Sequence, residues 1–459
     1  MAASQSGSAV DAAAVQSFEQ RLRGRMLRPG GDGYDAARKV WNGMIDRKPA
    51  LIARCAGAAD VMAAVDFART HDLLVAVRGG GHSASGQGVC DGGLVIDLSD
   101  MKGMRVNPAA RTARAEPGLT WGEFDRETQA FGLATTGGVV STTGIAGLTL
   151  GGGLGWLMRE HGLTCDNLLS VDIVTADGQL RTASATENAD LFWAVRGGGG
   201  NFGVVTSFEY RLHPVGPMVL AGLLIHPRER APEVLRFYRD FTRTAPDQLG
   251  AYAALVTSPD GAPVVGLLVC YHGALDAGER VLRPLREFGP PVADMVQPMP
   301  YVAFQSIANA MNPPGLQVYW KSSFLKDLTD DVIDTVVKHG PAMPSPLSAA
   351  IIEFYGGAVN RVGVGETAYP HRNALYLLNM ISIWPDKTQT DANIRWVRGL
   401  FDAVQPFSTG RTYVNFLGDD GDDRVRAAYG ENYERLAAIK RRYDPTNLFR
   451  LNANIAPAG

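Results

Sequence analysis

The chain has 459 residues, 46% of them hydrophobic and 20% charged, with a formal net charge of −3. Such a length predicts two or three domains and ample core, and the near-neutral balance excludes the basic footprint of a nucleic-acid or anionic-membrane binder. Four cysteines with no CxxC pair exclude a disulfide framework, and the eight histidines have no metal-ligand spacing, so no metal is expected.

The N-terminal residues 1–8 are small and polar, and an amphipathic stretch over 18–27 follows with no apolar signal core. No run approaches the roughly 18 apolar residues that cross a bilayer. A cytoplasmic protein is expected. A strand at 50–54 then precedes a helix over 58–68, in which Val61, Ala64, Val65 and Ala68 recur at helical spacing. The apolar run 73–77 reads as a strand leading into Arg78-Gly79-Gly80-Gly81-His82-Ser83-Ala84-Ser85-Gly86. Consecutive glycines let the backbone take positive φ and turn several N–H groups toward one anion, as a pyrophosphate needs, and His82 closes that cradle.

Strands at 94–98, 112–115, 171–175 and 204–212 complete a mixed α+β unit. Within it lie the glycine-rich run from Gly144 to Trp156 and the segment Gly162-Leu163-Thr164-Cys165-Asp166-Asn167. Gly198-Gly199-Gly200-Asn201-Phe202-Gly203 formally satisfies GxGxxG, but a strand rather than a helix follows it, so a Rossmann dinucleotide site is rejected. From about 218 to 407 the glycine density falls, and β-rich runs such as 264–271 and 350–355 alternate with amphipathic helices, predicting an antiparallel sheet. The last stretch carries Tyr413-Val414-Asn415, a helix over 432–442 and Tyr443-Asp444-Pro445-Thr446-Asn447-Leu448-Phe449.

Together, from about residue 33 to the C-terminus, these segments resemble the berberine bridge enzyme-like family of FAD-linked oxidoreductases. The blocks Pro117-Gly118-Leu119-Thr120-Trp121 and Asn201-Phe202-Gly203-Val204-Val205-Thr206 carry the likeness as well. The resemblance implies an α+β fold. A PCMH-type FAD-binding domain of two α+β subdomains would span 33–217, and a substrate domain with a helix-covered antiparallel sheet would span 218–407. A C-terminal segment, 408–459, would return to the FAD domain.

The resemblance further implies FAD bonded twice, through His82 to the flavin 8α carbon and through Cys165 to ring carbon 6. Arg78, Gly79, Gly80, Gly81, Ser83, Gly86, Gln87, Pro117, Gly138, Gly144, Gly147, Gly151, Gly152, Gly155, Val205, Tyr413 and Asn415 would surround it. The implied reaction passes hydride from a carbon bearing a hydroxyl or amine, on a sugar, phenol, alkaloid or similar small molecule, to flavin N5 and then to oxygen. A dehydrogenase using another acceptor, or a non-catalytic flavin carrier, are the alternatives. Tyr413 is the expected base, with Glu353 and Tyr355 facing the flavin and Lys321 supplying positive charge that a tyrosine base needs. Tyr301, Gln305, His371, Tyr376, Asn379 and Trp384 are substrate-facing candidates, and Leu168 and Leu169 are candidate oxygen gates.

Overall fold

The structure, a computed structural model, describes residues 11–418 and 421–459. The amphipathic stretch expected over 18–27 divides. A helix at Ala12–Arg21 packs Phe18 on Phe67 at 4.4 Å, and the chain then enters the edge strand Arg25–Leu27. Asp60 draws the chain over, because its carboxylate accepts from the backbone N–H groups of Arg23, Gly24 and Ala56 at 2.8–2.9 Å.

Three sheets form the frame. The first runs Arg25–Leu27, Leu51–Arg54, Leu94–Asp97, Val75–Arg78, and its last three strands are parallel. The helix Ala58–Thr70 makes the crossover that parallel pairing demands. The second sheet is antiparallel, in the order Met104–Asn107, Thr112–Ala115, Val204–Arg211, Leu168–Val174, Leu180–Ser184.

The third has eight antiparallel strands, and four neighbours decide the site: Leu249–Thr257, Ala349–Phe354, Tyr376–Trp384 and Gln317–Leu325. Side chains alternate between the faces of a strand. Ile352, Leu378 and Met380 point into a core shared with Val234, Val332 and Val397 of the covering helices. Ile351, Glu353, Asn379 and Ile381 occupy the other face, with Tyr252 opposite Glu353 and Trp320 opposite Ile381 in register.

The chain ends against the first half of the molecule. Tyr429, Leu436 and Tyr443 join a core with Trp193 and Phe202. The buried Lys440 ammonium fastens this return by donating to Asp444 at 2.6 Å, to the Asn201 carbonyl at 2.7 Å and to the Phe449 carbonyl at 3.0 Å. Among the described residues no helix is long and apolar enough to cross a membrane.

Candidate functional site

A cleft of about 360 Å³ separates the open face of the third sheet from the glycine loops of the first half. Its size suits a small-molecule site. The loop after Val75–Arg78 turns at Gly81 with φ +67° and meets a second loop at Gly144. A Cβ on Gly80 would stand 2.5 Å from the Gly144 nitrogen, so neither loop tolerates a side chain there. Gly147 and Gly200 also line the cleft, and a Cβ on either would meet nothing within 4 Å. Bare backbone therefore faces open room on two sides, which is how main chain approaches a phosphate closely.

His82 stands at the end of this wall. Its ring stacks on Trp41 with centroids 4.4 Å apart and planes 13° apart, and its Nε2 lies 3.4 Å from Thr142 Oγ1. Burial pushes its pKa down to about 4, so the imidazole is neutral at physiological pH. Arg78 lines the cleft beside it, and its buried Nε has no partner in the protein.

On the sheet face, Glu353 is 6% exposed and lines the cleft. Its Oε1 accepts from Asn379 Nδ2 at 2.6 Å, and Asn379 Oδ1 in turn accepts from Trp320 Nε1 at 3.1 Å. The other carboxylate oxygen, Oε2, is buried without a partner, as is the Tyr252 hydroxyl beside it. Burial raises the Glu353 pKa to about 8. An unpaired buried polar atom costs about 1–3 kcal/mol, so these two groups are poised for a ligand. Trp320, Ile351, Ile381 and Phe416 make the surrounding wall apolar.

Tyr413 also lines the cleft, but its hydroxyl is already engaged by the Gly153 N–H at 2.8 Å and Asn415 Nδ2 at 2.7 Å. Burial raises its pKa far above the usual tyrosine value despite those two donors.

Of the sequence candidates, the cleft gathers Arg78, Gly79, Gly80, Gly81, His82, Ser83, Gln87, Gly138, Gly144, Gly147, Val205, Glu353, Tyr413 and Asn415. The others fall outside its lining. Cys165 is completely buried in an apolar cluster with Leu163, Tyr355 and Tyr369, and burial raises its thiol pKa. Tyr355 spends its hydroxyl on Tyr369 at 2.8 Å.

Gly86, Gly151, Gly152 and Gly155 each stand where a side chain would collide with a neighbour. They abut Ile45, Asn415, Tyr369 and the Gly137 backbone respectively. Pro117 presents its carbonyl to Gly79.

Lys321 is one residue out of phase with Trp320, so its ammonium sits over the Phe401 ring at 4.8 Å on the helix side. The same phase sends Tyr376 to Thr242 and Trp384 to Thr390. Tyr301 and His371 are buried elsewhere, Gln305 bonds Asp125, and only Asn379 reaches the site, through Glu353. Leu168 belongs to the core of the second sheet rather than to the cleft, and Leu169 does not line it either. The sequence reading missed Trp41, Tyr252, Trp320 and the glycine turn at Gly199–Asn201, whose GxGxxG spelling was the one available signal.

Residues 49–184 match the FAD binding domain family, and residues 412–456 match the family described as berberine and berberine like. An FAD-linked oxidoreductase of Dictyostelium discoideum is 33% identical, covering 96% of this chain and 97% of its own. The (R)-6-hydroxynicotine oxidase of Paenarthrobacter nicotinovorans is 31% identical, covering 95% and 98%.

The chain belongs to the berberine bridge enzyme-like family of FAD-linked oxidoreductases.

Among solved structures, 6-hydroxy-D-nicotine oxidase from Arthrobacter nicotinovorans superposes with a TM-score of 0.88 at 30% identity, covering 95% of this chain and 98% of that one. A chitooligosaccharide oxidase superposes at 0.87 with 25% identity, covering 97% and 100%. The fold is thus the α+β, PCMH-type fold of these flavoenzymes, and the protein is an FAD-dependent oxidoreductase. The bare backbone at Gly147 and Gly200, and the unpartnered Arg78 Nε, fit the cofactor's diphosphate.

Proposed function

We propose that this enzyme is an oxidase for a flat, largely apolar small molecule carrying a hydroxyl or amine, with Glu353 as the proton acceptor and dioxygen as the final electron acceptor. The observation that carries the reading is the buried, unpartnered Glu353 Oε2 beside the unpartnered Tyr252 hydroxyl on an otherwise apolar wall. A sugar would need many polar partners there. The apolar wall therefore favours a heterocyclic amine or aryl alcohol, in line with the hydroxynicotine oxidase rather than the oligosaccharide oxidases among the relatives.

Arg78, the N–H groups of Gly79, Gly80 and Gly81 and the bare backbone at Gly147 and Gly200 would hold the diphosphate of FAD, and the flavin, when bound, supplies a two-electron acceptor. The imidazole of His82, clamped by Trp41 and kept neutral by burial, would carry the flavin as a single covalent tether. A second tether at Cys165 needs a thiolate, which complete burial disfavours.

Tyr252 and Glu353 orient the substrate's hydroxyl or amine, Glu353 Oε2 takes its proton, and hydride leaves the adjacent carbon, giving a carbonyl or imine. Dioxygen accepts the two electrons and two protons as hydrogen peroxide. Because the Glu353 pKa is raised to about 8, the basic form prevails only above that pH. The four free, buried cysteines fit a reducing, cytoplasmic setting.

Tyr413 is the second reading, favoured by the two donors on its hydroxyl. Anaerobic stopped-flow reduction of the flavin by a panel of heterocyclic amines, aryl alcohols and oligosaccharides, repeated from pH 6 to 10, tests both. The expected rate rises with pH and levels off above about 8, falling roughly 10²-fold or more in Glu353→Gln with loss of that limb. Tyr413→Phe should be far milder. Reduction by oligosaccharides alone sinks the substrate class, and a severe Tyr413→Phe effect with a mild Glu353→Gln effect exchanges the roles. Reoxidation in air without peroxide makes the protein a dehydrogenase.

A further inference from the structure

Away from the cleft, Glu160, His161 and His272 bring three ligand atoms within 4.8 Å of one another. Glu160 and His161 lie on the short helix Met158–His161, four residues beyond the cleft-lining Leu154. His272 follows the strand Pro263–Tyr271 in the third sheet. The cluster therefore spans the two halves of the molecule.

Glu160 Oε2 is 3.4 Å from His272 Nδ1 and 3.8 Å from His161 Nε2. Its other oxygen, Oε1, accepts from Gln248 Nε2 at 2.7 Å, which fixes the carboxylate's aim. The His272 side chain is 2% exposed, and its Nε2 has no hydrogen-bond partner. The buried Nε2 of His161 has none either. His213 stacks on the His161 ring at 3.9 Å, with its own Nε2 committed to Asn167 Oδ1 at 2.6 Å, and so forms a wall.

The His161 Nε2, 3.8 Å from the Glu160 carboxylate, is a buried polar atom left without a partner unless something binds it there. Zinc bound tetrahedrally at about 2.0–2.2 Å places its donors roughly 3.4 Å apart, against 3.4 and 3.8 Å from the Glu160 oxygen to the two imidazoles here. We propose that Glu160, His161 and His272 form a site for one divalent transition cation, zinc first, with water as the fourth ligand. The ion would staple the short helix to the third sheet. Two imidazoles and one carboxylate suit zinc better than calcium or magnesium, which take oxygen donors.

The test uses untagged holoenzyme, stripped with EDTA and reloaded with zinc chloride alone. Metal is counted by mass spectrometry after gel filtration, and affinity is read by competition with a chromophoric chelator. One zinc per chain is expected. Glu160→Gln and His272→Gln should weaken binding by at least ~100-fold while the visible flavin spectrum reports an intact fold. Zinc at 100 times its Kd should raise the Tm of the wild type by about 3 °C and leave the variants unmoved. Should His272→Gln fail to fold, Glu160→Gln, the more exposed ligand, carries the comparison alone. Retention of less than about one-tenth of an equivalent by the wild type, or equal retention by the variants, overturns the site.

Discussion

His82 and Cys165 are each framed by glycine in the sequence, yet their surroundings differ. His82 opens onto the cleft against Trp41, whereas Cys165 is sealed behind the cleft-lining side chains Leu154 and Tyr413 in one apolar cluster. The glycines before His82 supply no side chain to cover it, so it is Trp41 from another segment that packs on its ring. A cysteine one residue before Asp166 follows wherever that aspartate is anchored, and Arg372 anchors it from within the protein at 2.7 and 2.8 Å. After acid denaturation, FAD should remain on the wild-type and Cys165→Ala chains and separate from His82→Ala. Colour retained by His82→Ala but lost from Cys165→Ala would reverse the assignment. Chain-bound flavin is measured directly by absorbance after precipitation.

At the scale of elements, strand phase does the sorting. The sequence placed strands near 350–355 and 264–271, and both are there as Ala349–Phe354 and Pro263–Tyr271. It did not say which face met the cofactor, since both faces of a sheet between helices and a second domain are apolar. Lys321, Tyr376 and Trp384 lie on the helix-covered face, while Trp320 and Tyr252 lie on the face toward the cleft.

The chain Trp320–Asn379–Glu353, three residues on three strands, exists only once the register is fixed. Asn379 donates to Glu353 and so lowers its pKa against the upward push of burial. Asn379→Leu removes that donor, and the pH limb of flavin reduction should move above about 8 while the plateau rate is nearly kept. An unmoved limb in that profile would show that Glu353 is not the group being titrated.

For the molecule as a whole, the halves are joined by buried charge. Arg372 and Asp166 are 206 residues apart, with side chains 1% and 10% exposed. Removing one partner of such a pair leaves the other charge stranded, which costs about 3–5 kcal/mol. Arg372→Met should therefore lower the unfolding midpoint in urea and loosen the Cys165 segment, whereas Asp166→Asn combined with Arg372→Met should recover part of the loss. A double variant no better than the single one would mean that the pair does not act as a unit.

By itself the sequence determined the glycine loop that ends in His82 on one wall of the cleft. Glycine spacing, the histidine that ends it and the helical and strand periods of residues 50–115 are local properties, set by φ freedom and side-chain alternation within a few residues. Only the tertiary structure decided the sheet wall of the cleft, the burial of Cys165 and the meeting of Glu160, His161 and His272. Those depend on strand register and on how the two halves pack, and contacts between residues a hundred positions apart leave no period in a single chain for the eye to follow.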